Sequence, residues 1–356
     1  MSDSRLFTDE RSRLATIQST SSVLRSASLA PATISAYTQA ASRFSAYCES
    51  IPAHRHHRHP HRAAAMDLDI CVSGYISLLY SHARGANRQL AVNTLYGLYL
   101  LQPNMRGMLR HSEQLLHGWS RLKPSVSHPP LTWPVTLLIA ATMAKNGFYD
   151  CAVATLVGFD GLLRISELVN IRVRDVSALS DVRRGATSSL TTQVFQSHIS
   201  PSADRVCLCL PSTKTGSNQW CELYTDGVGI LLVRWLNARP PRSYVFRFPV
   251  APSRRADYYR QIFHRVCQAL GLSGYHFTPH SLRHGGATHA HLQLNQSIEH
   301  VMHRGRWRSN DSCRTYIQAG RAALLNQDLP LSVTNRAADL IVDWFPIIES
   351  LCFTSS

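Results

Sequence analysis

Lysine is nearly missing from this chain. Of its 37 basic residues only Lys123, Lys145 and Lys214 are lysines, which leaves 34 arginines. No uncharged apolar run approaches the roughly eighteen residues that a membrane span requires, so a membrane protein is not expected. The nine cysteines include no Cys-x-x-Cys pair, are odd in number and fall mostly in apolar stretches. That argues against a disulfide frame or a zinc site and predicts buried free thiols in a reducing compartment. The N-terminus has no apolar segment of the kind that directs secretion, and no lysine-rich import signal is present. What is there, 356 residues with 44% hydrophobic side chains, is enough for two domains or one large one with an ample core. The net charge of +15 is carried by arginine, whose planar fork suits bidentate phosphate contacts. GC-rich codon usage explains the same excess equally well, so composition alone leaves a polyanionic partner open.

Residues 1–30 are rich in Ser, Thr and Arg with weak periodicity and read as a flexible tail. From Pro31 the pattern turns helical: Ile34, Tyr37, Ala41, Phe44 and Tyr47/Cys48 recur at intervals of three and four. Similar patterns over 69–82, 90–101 and 107–122 make residues 31–122 an all-helical domain of about four helices. Residues 123–133, with prolines at 124, 129 and 130 and a fourth at 134, break any helix and read as a linker. Beyond it helices are expected at 134–146, 149–160, 226–237, 255–271, 279–294, 296–303 and 309–320. Strands are expected at 189–198, 205–211 and 220–224, the last two joined by a short polar turn. The fold class is therefore mainly α with a small antiparallel β-sheet (α+β) in a second domain, 134–320. An apolar segment, 337–352, follows a polar connection within the C-terminal stretch 321–356, which reads as a tail or helix. Docking on a neighbouring protomer and packing back on its own domain both fit it.

The stretch HRHHRHPHR, 54–62, holds five histidines and three arginines, Arg55, Arg58 and Arg62. It has no carboxylate or cysteine to complete a metal geometry, and Pro60 interrupts any helical face. A solvated basic loop, free on the surface or against a phosphate backbone, suits it better than a metal site.

Four patches in the second domain each supply groups suited to a phosphodiester. In GlyLeuLeuArgIleSerGluLeu (161–168), Gly161 looks like a helix stop and Glu167 stands one turn beyond Arg164, placed to orient its guanidinium. In ThrLysThrGly (213–216), Lys214 sits at an expected hairpin tip; unlike arginine, lysine can give up a proton near neutral pH. In ThrProHisSerLeuArgHisGlyGlyAlaThr (278–288), Thr278 caps a helix that Pro279 opens, so His280 and Arg283 share a face at its anion-attracting end, with Gly285 and Gly286 allowing close packing behind. In GlyArgTrpArgSerAsnAspSerCysArgThrTyr (305–316), Trp307 offers an indole N–H and Tyr316, about two turns into the expected helix, a nucleophilic phenol. Each patch alone also reads blandly, as a surface ion pair, a solvated turn, a core histidine or a packed tyrosine.

In this order, Arg164, Lys214, His280-x-x-Arg283, Trp307 and Tyr316 resemble the signature of the tyrosine recombinases, the phage-integrase-like enzymes that break and rejoin DNA. The nine residues from Trp307 to Tyr316 and the 36 from His280 to Tyr316 are similar to that family's spacing. The resemblance covers 134–320; the helical module 31–122 is similar only in type to the family's core-binding domain. Trp307 stands where many members have histidine. Residues 305–317 look most like eukaryotic transposon recombinases of the DIRS and Crypton kind.

The resemblance implies a two-domain DNA clamp. Arg164 and Arg283 would grip the scissile phosphate, Trp307 would donate to it, His280 would assist as a hydrogen-bond donor or proton acceptor and Lys214 would protonate the leaving 5′-oxygen. Tyr316 would attack to form a 3′-phosphotyrosyl link, with Glu167 and His284 in support. It implies no cofactor, metal or ATP. The implied partners are double-stranded DNA and further copies of the chain, as dimer to tetramer on DNA. Arg55, Arg58, Arg62, Arg306 and Arg308 are the expected DNA contacts. A nuclear location follows if the source is eukaryotic, a cytoplasmic one otherwise. The competing readings are a topoisomerase-like variant of the same chemistry, a domesticated DNA-binding protein that keeps the fold without catalysis, and a metal-responsive DNA binder built on the His-rich loop.

Overall fold

The computed structural model describes residues 29–50, 65–82, 87–124, 127–178, 206–213, 216–225, 227–236 and 239–353. The chain divides into two compact units, Met1–Val126 and Ser127–Ser356. In the first, α1 (Pro31–Ser50), α2 (Ala65–His82), α3 (Arg88–Leu101) and α4 (Arg110–Leu122) surround a core that includes Phe44, Leu68, Ile76, Leu98 and Trp119. Pro31 opens α1, where a missing N–H leaves no bond unmade, and Ala40, Ala41, Phe44 and Cys48 line one buried face. The start of α4 is capped from across the unit. Asp69 of α2 accepts the backbone N–H groups of His111 and Ser112 at 2.9 Å each and the Ser112 hydroxyl at 2.6 Å. Arg55, Arg58 and Arg62 lie outside the described residues, as do the rest of 51–64 and residues 1–28 of the expected tail.

The second unit is built around α5 (Trp133–Lys145) and α6 (Tyr149–Asp160). Both are apolar on nearly every side, and each residue from Cys151 to Asp160 is buried, so these helices form the centre rather than one wall. After the short α7 (Ile165–Leu168) comes an antiparallel sheet of β1 (Val176–Ala178), β2 (Val206–Thr213) and β3 (Gly216–Leu223), in that order, with Val176 opposite Leu208 and Val206 opposite Leu223. The helices α8 (Val228–Trp235), α9 (Arg255–Ala269), α10 (Pro279–Leu292), α11 (Ile298–Gly305), α12 (Asn310–Arg314), α13 (Ala319–Asp328) and α14 (Leu331–Phe353) complete it. A mainly helical chain with a small antiparallel sheet is what the periodicities predict. Among the described residues no helix is long and apolar enough to cross a membrane.

Several details differ from the sequence expectation. The expected strand at 189–198 lies outside the described residues, and β1 was not expected. β2 and β3 reach further than expected, pairing as far as Thr213 and Gly216, where the Thr213 hydroxyl accepts from the Gly216 N–H at 3.2 Å and donates to Gln219 Oε1 at 2.6 Å. The helix expected over 309–320 stops at Arg314: the Thr315 and Tyr316 N–H groups still bond back to Asp311 and Cys313, but the Gln318 N–H and the Tyr316 carbonyl go to Thr288 of α10. In the C-terminal stretch, read as tail or helix, Ala319–Asp328 and Leu331–Phe353 are helical. α14 kinks at Asp343, ahead of Pro346, and packs on α5 of its own unit, with Val333, Ala337, Ile348 and Cys352 buried and Trp344 edge-on to Trp133.

Candidate active site

The site grows from the N-terminal end of α10. The Thr278 hydroxyl accepts the His280 N–H at 3.2 Å, and Pro279 fixes the first turn, so His280, Arg283 and His284 fall on one side of the helix. The helix is held there by backbone contact. A Cβ at Gly285 would collide with the Leu131 main chain, and one at Gly286 with the Phe159 carbonyl oxygen.

Arg283 is fully buried. Its guanidinium donates to the main-chain carbonyls of Leu162 and Gly305, while Cζ lies 4.4 Å from the centre of the Trp307 ring and 5.4 Å from that of Tyr316. Burial, then the nearby Arg306 and Arg164, push its pKa below the ordinary arginine value. Arg164 precedes α7 and is bonded to Glu167, which accepts its backbone N–H at 2.9 Å and its Nη1 at 2.6 Å. Glu167 is itself buried. Burial works to raise its pKa, but Arg306, then the bonds from Arg164, outweigh it and hold the carboxyl below its usual value.

Arg306 requires a correction. Expected as a DNA contact, it is 6% exposed, and its guanidinium is committed to Glu167 Oε2 at 3.0 Å, Leu162 O at 2.9 Å and Arg304 O at 2.7 Å. The reason is local: Arg306 follows α11 in the left-handed conformation (φ 57°), which turns its side chain inward. Its neighbour Arg308 is exposed. Sequence reasoning also missed Arg304, buried at the end of α11, which bonds to the Asp160 carbonyl at 2.7 Å and carboxylate at 3.2 Å.

Tyr316 lies on the turn after α12 rather than inside a helix. Its ring packs 4.7 Å from Trp307, is stacked 4.3 Å from His284, and lies edge-on to His280 at 5.6 Å. Trp307 is 8% exposed, and its buried indole N–H has no acceptor among the described residues. A third histidine, His128, was missed because nothing local marks it. Its Nδ1 lies 3.2 Å from Thr278 Oγ1 and its ring 5.1 Å from that of His280. Burial, then the surrounding cationic and imidazole groups, push His280 down to about 4 and His284 to about 3; His128 is lowered by burial and by Arg321. The three imidazoles are therefore neutral near pH 7. Among the described residues no group of His, Cys, Asp and Glu is placed to hold a metal ion. Lys214 lies outside the described residues, between the paired Thr213 and Gly216.

A phenol, a desolvated guanidinium, a second arginine braced by a carboxylate, an unpartnered N–H and neutral imidazoles thus converge on one place. Such a set suits an anionic centre that undergoes nucleophilic attack. The profile of the phage integrase family matches residues 135–322. No curated protein matches the chain. Among solved structures 22 chains match; one, the crystal structure of XerA recombinase, is 14% identical with a TM-score of 0.37, covering 87% of this chain and 96% of that one. The matched profile spans more than half of the sequence and takes in every residue from Arg164 to Tyr316, so the chain belongs to the phage integrase family, the tyrosine recombinases.

Proposed function

We propose that the protein is a site-specific DNA recombinase that integrates or rearranges a mobile element through a 3′-phosphotyrosyl intermediate on Tyr316. The observation that carries the reading is the Tyr316 ring set against a buried Arg283 and against Trp307, whose N–H has no acceptor among the described residues. A non-bridging phosphate oxygen supplies the acceptor that this donor lacks. Arg164 and Arg283 bind the scissile phosphate and stabilise the charge of the pentavalent transition state. Neutral His280 accepts a hydrogen bond or a proton as the phenol attacks, and Lys214 protonates the leaving 5′-oxygen. The new phosphotyrosyl bond replaces the broken phosphodiester, so a free 5′-hydroxyl reverses the step without ATP. The resemblance of residues 305–317 to DIRS and Crypton recombinases supports a eukaryotic transposon origin and action in the nucleus, on DNA-bound dimers and tetramers.

The test is to incubate wild type and Tyr316→Phe with a pool of nicked and supercoiled DNAs and then denature. A DNA-linked species from wild type alone is expected. DNA binding without any such species from wild type favours a non-catalytic DNA-binding protein and refutes the proposal.

A further inference from the structure

Tyr316 lacks the rigid support of a helix. α12 ends at Arg314, and the tyrosine's own main chain is anchored by its N–H to Cys313 O at 2.9 Å, while the Thr288 hydroxyl shares its one proton between the His284 carbonyl at 2.9 Å and the Tyr316 carbonyl at 3.3 Å. The same hydroxyl accepts the Gln318 N–H at 3.0 Å. The densest anchoring comes two residues after the tyrosine, from the Gln318 carboxamide. Its Nε2 lies 2.7 Å from Ser127 Oγ, 2.9 Å from His284 Nδ1 and 3.1 Å from Thr315 O. An amide nitrogen has two protons for these three acceptors, so the bonds are shared and the group has little freedom to turn. Its oxygen faces Arg321 Nη1 at 3.3 Å, and that nitrogen also donates to Ser127 O at 2.7 Å. Gln318, Arg321 and Ser127 therefore close a ring, with His284 attached through Nδ1 and stacked on the Tyr316 phenol.

We propose that Gln318 is a positioning residue for Tyr316: through Ser127 and His284 it fixes where the phenol stands against Arg283 and Trp307. The inference rests on the reading of Tyr316 as the nucleophile. The carboxamide touches no reacting atom. It holds the turn on one side and, by donating to His284 Nδ1, fixes the imidazole whose face covers the phenol. Ser127 is the first residue of the second unit, so the chain entering that unit is bonded directly to the nucleophile's turn.

Because misplacing a reacting group by about 1 Å costs on the order of 100-fold in rate, loss of this anchor acts on the chemical step. The experiment uses the full chain and a nicked duplex on which wild type forms the covalent complex. It measures the single-turnover rate at saturating DNA alongside the Kd. Gln318→Ala is expected to slow covalent-complex formation about 10- to 100-fold while Kd changes less than about threefold. Gln318→Glu, equal in size but unable to donate to His284, does not rescue it. Ser127→Ala slows the reaction, Ser127→Thr restores it, and the Gln318→Ala/Ser127→Ala double variant is no slower than Gln318→Ala, since the two act as one unit. If Gln318→Ala does not fold, the two Ser127 variants carry the same comparison.

Wild-type rates in Gln318→Ala or Ser127→Ala, effects that multiply in the double variant, or a rate loss that only follows weaker DNA binding each overturn the proposal while leaving the function standing. A wild-type chain that forms no covalent complex overturns the proposed function, and this inference with it.

Discussion

Glu167→Gln tests the electrostatic logic of the site most directly. The Glu167 side chain is 3% exposed and pairs with Arg164 at 2.6 Å and Arg306 at 3.0 Å. Glutamine keeps the shape but loses the charge, and its amide hydrogens face guanidinium donors. Removing one partner of a buried pair costs about 3–5 kcal/mol, and two cations depend on this one carboxylate, so a loss toward the upper end is expected at pH 7. The pH dependence gives a second signature. Because the folded chain holds the Glu167 carboxyl below its usual value, its contribution is fully present above the unfolded-state pKa of about 4.3 and is lost as pH falls through the folded value. Urea denaturation of wild type and variant from neutral to acid pH should give curves far apart at pH 7 that converge as wild type itself becomes protonated. A loss below about 1 kcal/mol at pH 7, or curves that stay parallel into acid, refutes the assignment of Glu167 as the counter-charge of Arg164 and Arg306.

Three further outcomes follow from the geometry. Gly285→Ala forces a Cβ onto the Leu131 carbonyl and should cost about 1–3 kcal/mol; an unchanged melting temperature means that α10 can back away. Trp307→Phe keeps the ring against Arg283 and Tyr316 but removes the unpartnered N–H, so covalent-complex formation should slow about 100- to 1000-fold with DNA affinity retained; an equal rate means the N–H has no part in cleavage. With its folded pKa at about 4, His280 stays neutral through the neutral range, and its contribution to stability is present above the unfolded value of about 6.5 and lost as pH falls through 4. A cleavage-rate inflection near pH 6.5 that His280→Gln abolishes contradicts that placement.

The sequence made some of this visible and hid the rest for identifiable reasons. The helical spacing from Ile34 to Cys48, and the cap-and-proline start at Thr278–Pro279, are short-range signals, and α1 and α10 lie where they indicate. The pairing of Arg164 with Glu167 is equally local. Arg306 misled because only the left-handed turn after Gly305 sends its side chain inward, and an arginine beside a glycine does not announce that. The overextended helix at 309–320 has a similar cause, since Thr288, distant in sequence, takes up the Tyr316 carbonyl and the Gln318 N–H. His128 and Gln318 meet His280 and His284 only in three dimensions. The proline-rich stretch read as a linker therefore hid a histidine at its middle, His128, that belongs to the site.

The return of α14 onto α5 bears on how the protein is made. The first unit is contiguous in sequence, so it can complete its core while synthesis continues, as domains that emerge first generally do. The second cannot, because its central helix begins at Trp133 while the residues that cover it, from Val333 to Cys352, emerge roughly two hundred residues later. Contacts so distant along the chain form late and slowly. On the ribosome the face of α5 that α14 covers therefore stays open while the intervening residues are made, so the nascent chain is exposed to aggregation there until α14 emerges.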